Sequence, residues 1–251
     1  MKKVYRHTGP LLAVTALAAL LTAQSASAAL ALDRTRVVLN GDENSVSLNV
    51  NNDNTQLPFL AQAWVEDAAG NKISDPLVAL PPVQRIEPGA KSQIKVQATG
   101  GISRLPQDRE SLFYFNLREI PPRSDKPNTL QIALQSRIKL FWRPAALKAG
   151  PGTEPWQKKL TLTRQGDHYV AGNPTPYFIT ISDISSRDGG AGVSGFEPVM
   201  LPPRDSAPLK GTAASLGESP VLTVINDYGG HPKLVFSCSG GRCQVKSMKD
   251  D

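Results

Sequence analysis

The chain has 251 residues and a formal net charge of +6, with 20% charged and 6% aromatic residues. This length suits one large or two ordinary domains. The basic residues are scattered and are not clustered with aromatic residues, so we expect no nucleic-acid partner.

The first 28 residues have the three parts of an export signal. Residues 1–7 are basic, residues 11–21 are apolar, and residues 26–28 supply the small side chains needed for cleavage before Ala29. The apolar part is short for a transmembrane helix and no later stretch approaches that length, so we expect no membrane insertion. We therefore predict an exported protein with a cleaved signal peptide over residues 1–28.

Short alternating apolar runs, separated by Pro, Gly, Asn and Asp, follow this signal and replace helical periodicity. Val46, Leu48 and Val50 alternate with polar residues. A second run at residues 57–66 carries Trp64, which we expect to be a core ring. The pattern is typical of an all-β sandwich.

The next runs continue the same pattern. Phe113, Phe115 and Leu117 are predicted to form the inward face of a strand, since they share one parity. Residues 120–128 contain three prolines and are predicted to be a loop between two strands.

Leu130, Ile132 and Leu134, here called the aliphatic stripe, alternate with polar or small residues and predict a long β-strand. An exposed strand of this kind is an aggregation hazard, and it is also able to complete the sheet of another protein. Alternation alone leaves open that the stripe packs in the chain's own core, because Ile138 and Leu140 have the same parity.

A domain boundary is predicted where prolines and glycines crowd between residues 143 and 154. We assign residues 29–146 to an N-terminal domain and residues 147–251 to a C-terminal domain. The clearest predicted strands of the second half are residues 160–164, 177–184, 221–226 and 234–238. Two sandwiches of about 100 residues each fit this length.

Cys238 and Cys243 flank a Gly-Gly turn between two strand-like runs, which places them across the base of a hairpin. In an exported protein we expect a disulfide, which stabilises so small a loop by roughly 2 kcal/mol. The alternative is a metal site, but it lacks a second ligand pair and His231 alone is a poor complement. We expect no metal and no cofactor.

No motif indicates catalysis. His168 and His231 are the two histidines after the signal, and neither has a neighbouring cluster of ligands. The chain has no G-x-S-x-G elbow and no phosphate-binding loop. We therefore predict that the protein is not an enzyme and has no catalytic residues.

Six blocks spread over almost the entire chain after the signal match one known family. They are LDRTR at 32–36, PPVQRIEPG at 81–89, RESLFYFNLREIP at 109–121, residues 130–144, NPTPY at 173–177 and INDYGG at 225–230. By these blocks the chain resembles the periplasmic pilus chaperones of the chaperone–usher pathway. The resemblance implies two immunoglobulin-like β-sandwich domains with a cleft between them.

The resemblance also implies a function. A chaperone of this kind lends its own edge strand to pilus subunits, both pilins and the tip adhesin, which lack their last strand. It binds, folds and caps them in the periplasm until an outer-membrane usher takes them over. Self-association of the free protein is expected through the same edge. The alternative is a secreted structural or adhesive sandwich module, which would need its own donor extension.

Site residues follow from the resemblance. Arg36 and Lys139 are expected to grip the terminal carboxylate of the subunit, and the aliphatic stripe is expected to fill the subunit's groove. Lys139 has the opposite parity to the stripe and should face away from it unless a bulge intervenes. A salt-bridge cluster between the domains is expected at Glu110, Arg143 and Asp227.

Overall fold

The computed structural model describes residues 28–150 and 152–250, so nearly all of the predicted signal peptide lies outside the described residues. In these two ranges no helix is long and apolar enough to cross a membrane.

The first half is a sandwich of two β-sheets. Its strands are β1 Leu30–Leu32, β2 Arg36–Asn40, β3 Ser45–Asn52, β4 Phe59–Glu66, β5 Lys72–Ile73, β6 Leu77–Leu80, β7 Val83–Ile86, β8 Lys91–Ala98, β9 Ser111–Ile120 and β10 Gln135–Arg143. One sheet has the order β1-β3-β8-β6, and the other has the order β2-β10-β9-β4-β5 with β7 also paired to β4. Leu48, Ile94 and Phe115 are fully buried between the two sheets.

The second half forms an eight-stranded sheet in the order β14-β13-β16-β17-β18-β11-β12-β15. Its strands are β11 Thr161–Gln165, β12 His168–Asn173, β13 Ile179–Ser185, β14 Val199–Leu201, β15 Asp205–Pro208, β16 Val221–Ile225, β17 Lys233–Ser239 and β18 Arg242–Lys249. The sheet folds around a separate apolar core that includes Leu162, Val224 and Phe236.

Within residues 28–150 and 152–250 the helices are short and lie between strands. They are three 3-10 helices, Gly100–Arg104, Ala145–Leu147 and Trp156–Lys159, and the α-helix α1, Ala213–Leu216. Thr212 caps α1, since its side chain accepts a hydrogen bond from Ser215 N. The predicted fold class, two immunoglobulin-like sandwiches, is confirmed. The exact domain boundary at 146/147 stays a prediction.

The predicted disulfide is present. Cys238 and Cys243 are paired across β17 and β18, with their Cα atoms 3.9 Å apart. Among the described residues, no group of three or more His, Cys, Asp or Glu side chains is placed to hold a metal ion.

Parity explains which predicted core residues are inside the first sandwich. Phe113, Phe115 and Leu117 are all buried, as predicted. The prediction for Trp64 is wrong, because its neighbours Ala63 and Val65 are the buried ones and adjacent strand residues face opposite sides. The Trp64 ring is half-buried on the outer face, where Nε1 donates a hydrogen bond to Glu66 at 2.9 Å.

The chain switches sheets between β1 and β2. β1 pairs with β3, whereas β2 pairs in parallel with the second half of β10, from Lys139 to Arg143. On that side the first half of β10, from Gln135 to Ile138, has no strand neighbour among the described residues. The sheet therefore ends in a free edge that leads directly into the aliphatic stripe.

The start of this strand was predicted wrongly. The alternation from residue 128 predicts a strand throughout, but β10 begins only at Gln135, and residues 121–134 belong to no strand. The reason is that a strand forms only where its backbone groups have partners. The stripe has the side-chain pattern of a strand but lies beyond the last pairing residues of the sheet.

Candidate functional site

The aliphatic stripe lies in solvent. Leu130, Ile132 and Leu134 are 84%, 63% and 43% exposed. The carbonyl oxygen of Leu134 accepts a hydrogen bond from Glu119 N at 3.0 Å, which marks the point where the segment joins the sheet. The alternative that these three side chains pack in the chain's own core is therefore wrong.

The stripe is nevertheless continuous with that core. Ile138 packs against the core of the first sandwich and Leu140 is fully buried in it, and both have the parity of the stripe. The pairing of β10 with β9 runs without a register shift. In sequence, the stripe continues the alternate positions of this row past the edge of the sandwich, with Ser136 between Leu134 and Ile138. Within β10 no bulge separates Ile138 from Lys139, so these two side chains face opposite sides.

Arg36 and Lys139, the cation pair, are brought together by the parallel pairing of β2 with β10, in which they are register partners. Arg36 is buried, and its Nη1 donates to the carbonyl oxygen of Ile225 at 3.2 Å. Lys139 Nζ donates to Thr180 Oγ1 at 3.1 Å. Both cations therefore reach across to the second domain and line the cleft.

The charges of the cation pair are only partly compensated. In the described part of the chain neither Arg36 nor Lys139 has a carboxylate within salt-bridge distance, and Arg36 Nε has no hydrogen-bond partner. Burial, with the positive charge of Arg36, lowers the pKa of Lys139 to about 8. Burial also lowers the pKa of Arg36, although Asp227 and Glu110 act in the opposite direction. An anion placed here would gain two charged donors.

Glu110, Arg143 and Asp227, here called the ion cluster, form salt bridges between the two halves of the chain. Arg143 Nε donates to Glu110 Oε1 at 2.8 Å, and its two terminal nitrogens bind the Asp227 carboxylate at 2.7 and 3.0 Å. The second Glu110 oxygen accepts from Phe178 N at 2.7 Å. Burial raises the pKa of Glu110, although the charge of Arg143 lowers it.

Two aromatic rings complete this cluster and were not singled out from the sequence. Trp156 and Tyr177 stack on each other with centroids 4.3 Å apart. The Arg143 guanidinium lies 4.8 Å from the first ring and 5.1 Å from the second. Cation–π contacts of this kind hold an arginine in one orientation. Tyr177 belongs to the NPTPY block, so the resemblance to the family could have marked it as a functional residue.

A second polar contact between the domains was also missed. Arg204 Nη1 donates to Asp108 Oδ2 at 2.6 Å, and Arg204 Nη2 donates to the Asp108 carbonyl oxygen at 3.1 Å. Both side chains are exposed, so this pair contributes much less than the buried ion cluster.

The chain thus has two sandwiches, a cationic cleft and a free strand edge, which are the features that binding of a polypeptide by strand addition requires. The chain belongs to the pilus chaperone family. Its residues 29–148 match the family described as "Pili and flagellar-assembly chaperone, PapD N-terminal domain". Its residues 155–236 match "Pili assembly chaperone PapD, C-terminal domain". The family is made up of periplasmic chaperones, not of known enzymes.

Individual relatives agree with this family. The chain is 53% identical over 225 residues to the chaperone protein PapD of Escherichia coli, covering 89% of the chain and 92% of the relative. It is 50% identical over 224 residues to the probable fimbrial chaperone YfcS of Escherichia coli K12, covering 89% and 88%.

Solved structures show the same fold. The SafA–SafB complex, a Salmonella enterica pilin bound to its chaperone, matches with a TM-score of 0.70 and 26% identity, covering 86% of this chain and 99% of the matched chain. The periplasmic chaperone SfaE matches with a TM-score of 0.66 and 30% identity, covering 82% and 98%.

Proposed function

We propose that this chain is a periplasmic chaperone that binds, folds and caps pilus subunits by lending them a strand. The single observation that carries the proposal is the aliphatic stripe. It continues the alternate positions of Ile138 and Leu140 beyond the sandwich, where its three side chains remain 84%, 63% and 43% exposed. A subunit that lacks a strand in its own sandwich would use the stripe to complete its core.

The free edge of β10 supplies the backbone part of this interaction. From Gln135 to Ile138 its backbone groups face no strand on one side among the described residues, so a partner strand is able to pair there. β2 begins where this edge ends, with Arg36 beside Lys139. A partner strand that runs along the edge toward β2 therefore stops at the cation pair.

The terminal carboxylate of the subunit is the ligand that fits the cation pair. Charge-assisted hydrogen bonds to a carboxylate contribute roughly 1.5–3 kcal/mol each, more than neutral ones. Such an anchor also sets the register, since each side chain of the added strand is counted from the carboxylate. The ion cluster would hold the two domains at the angle that this contact needs.

The remaining parts of the proposal follow from family membership. Export would use the signal peptide at residues 1–28, and the partners would be pilins, the tip adhesin and an outer-membrane usher. The uncovered edge would allow the free protein to associate with itself. The stripe and the cation pair act by binding alone, so we propose no catalytic role.

Co-expression with a pilus subunit tests the proposal. A subunit should accumulate in the periplasm and co-purify with the tagged chain, and Arg36→Ala or Lys139→Ala should abolish capture while keeping a native circular dichroism spectrum. Lys210→Ala is the matched control, since Lys210 is an exposed cation away from the cleft that is already paired with Glu197. Equal recovery of the subunit with wild type and both cleft variants would refute the anchor.

A further inference from the structure

Tyr228 is the most exposed large apolar side chain among the described residues, at 95% exposure. It lies in the turn between β16 and β17, at the cleft between the domains. The ring lines a cavity of about 510 Å³ whose wall also includes Arg36, Val38 and Ala149. The Tyr228 ring thus lies beside a cavity that contains Arg36 and is almost fully exposed to solvent.

The turn that carries this ring is held firmly. The Asn226 side-chain oxygen accepts hydrogen bonds from Tyr228 N at 3.0 Å and from Gly230 N at 2.9 Å. Asp227, the preceding residue, is bound by both terminal nitrogens of Arg143. The backbone next to the ring is therefore fixed from two sides.

Gly229 fixes the turn against the first domain. Its φ is +85°, in the region that favours glycine, and a Cβ there would lie 2.7 Å from Thr35 Oγ1. Thr35 directly precedes Arg36, so the turn touches the strand that carries the cleft arginine. Because the backbone that presents the ring is rigid, binding of a ligand to the ring orders little more of this chain and costs it little conformational entropy.

The charges around the cavity indicate which ligand it suits. Among its cations, Arg34 pairs with Asp33, and Arg143 and Lys148 also have carboxylate partners. Arg36 has no such partner in the described chain. Arg36, a cation without a salt-bridge partner, thus lies beside the apolar surfaces of Val38, Ala149 and the Tyr228 ring. This combination matches a carboxylate with an adjoining apolar side chain, as at the last residue of a polypeptide.

We propose that Tyr228 forms a subsite for the side chain of the C-terminal residue of the bound subunit and favours aromatic or large apolar residues there. The inference rests on the proposed function, because the cation pair must first place that residue in the cleft. Charged side chains gain less there, since the charges of the cavity wall other than Arg36 are already paired and a cation–π contact with so exposed a ring contributes little.

Synthetic peptides provide the test. They share one alternating apolar sequence and end in phenylalanine, alanine or lysine, with a fourth that ends in phenylalanine amide. Calorimetric titration uses the exported chain as wild type, Tyr228→Ala and Tyr228→Phe. In wild type and Tyr228→Phe the phenylalanine peptide should bind about tenfold more tightly than the alanine peptide. In Tyr228→Ala this preference should fall below about twofold, with an unchanged melting temperature.

The carboxylate anchor and the Tyr228 subsite are refuted by different results. If binding depends on the free carboxylate but the phenylalanine preference persists in Tyr228→Ala, the anchor stands and the subsite is refuted. If the amide peptide binds as tightly as the acid, or no peptide shows carboxylate-dependent binding, the anchor is refuted and the subsite with it.

Discussion

Ile132→Glu is the sharpest perturbation of the aliphatic stripe. Ile132 keeps 63% of its surface exposed in the free protein, so burial in a subunit groove would recover about two thirds of its full transfer free energy. That free energy is roughly 1.5–3 kcal/mol, which leaves about 1–2 kcal/mol for the contact. Loss of this contact weakens binding by about 5- to 30-fold. Burying a carboxylate in its place should increase the loss to at least about 100-fold.

The matched control is Ala133→Glu. Ala133 is also exposed, and it carries the same new charge on the opposite face of the segment. When the segment is extended, that face points away from the groove, so capture should weaken by less than about threefold. Because both sites are in solvent, each variant should keep its unfolding free energy within about 0.5 kcal/mol.

Titration calorimetry against a soluble pilus subunit, with a thermal melt of each variant, makes the comparison. Equal losses of affinity in the two variants would show that charge alone, and not groove filling, is responsible. Unfolding of Ile132→Glu would show that the side chain belongs to the chain's own core. Either result would refute the assignment of the stripe.

Three further predictions concern the cleft, the ion cluster and the disulfide. Subunit affinity should be highest between about pH 5 and about pH 7, where the subunit carboxylate is ionised and Lys139 is charged, and should fall as the pH rises through the Lys139 pKa of about 8. Lys139→Arg should remove this dependence in binding assays at several pH values, and a persisting dependence would exclude Lys139 as its origin. Arg143→Ala should destabilise by about 3–5 kcal/mol, because it leaves Glu110 buried and unpaired, and should alter the X-ray scattering profile. Arg204→Ala, at an exposed pair, should lower the free energy of unfolding by less than about 1 kcal/mol. Equal losses of stability in Arg143→Ala and Arg204→Ala would contradict the special role of the ion cluster. Reduction of the Cys238–Cys243 disulfide should lower stability by about 2 kcal/mol and spare subunit capture, and loss of capture with a folded first domain would contradict this.

Local patterns were sufficient for much of the fold. The alternation of Phe113, Phe115 and Leu117 assigned the buried face of β9 correctly, because a strand places every second side chain on the same side. The spacing of Cys238 and Cys243 around a turn was enough to predict the disulfide, since a hairpin brings such residues opposite each other. Trp64 shows the limit of this reasoning, because size and hydrophobicity do not reveal which face of a strand is covered.

The sequence by itself determined that the chain is an all-β protein with a row of alternating residues from Leu130 to Leu140 that is aliphatic except at Ser136, because period-two alternation is a local property. Only the tertiary structure decided where that row passes from the core into solvent. The position depends on which residues of β10 pair with β2 and with β9. The meeting of Arg36 and Lys139 is likewise a tertiary result. It requires a parallel pairing between strands far apart in the chain, and no local pattern specifies such a partner.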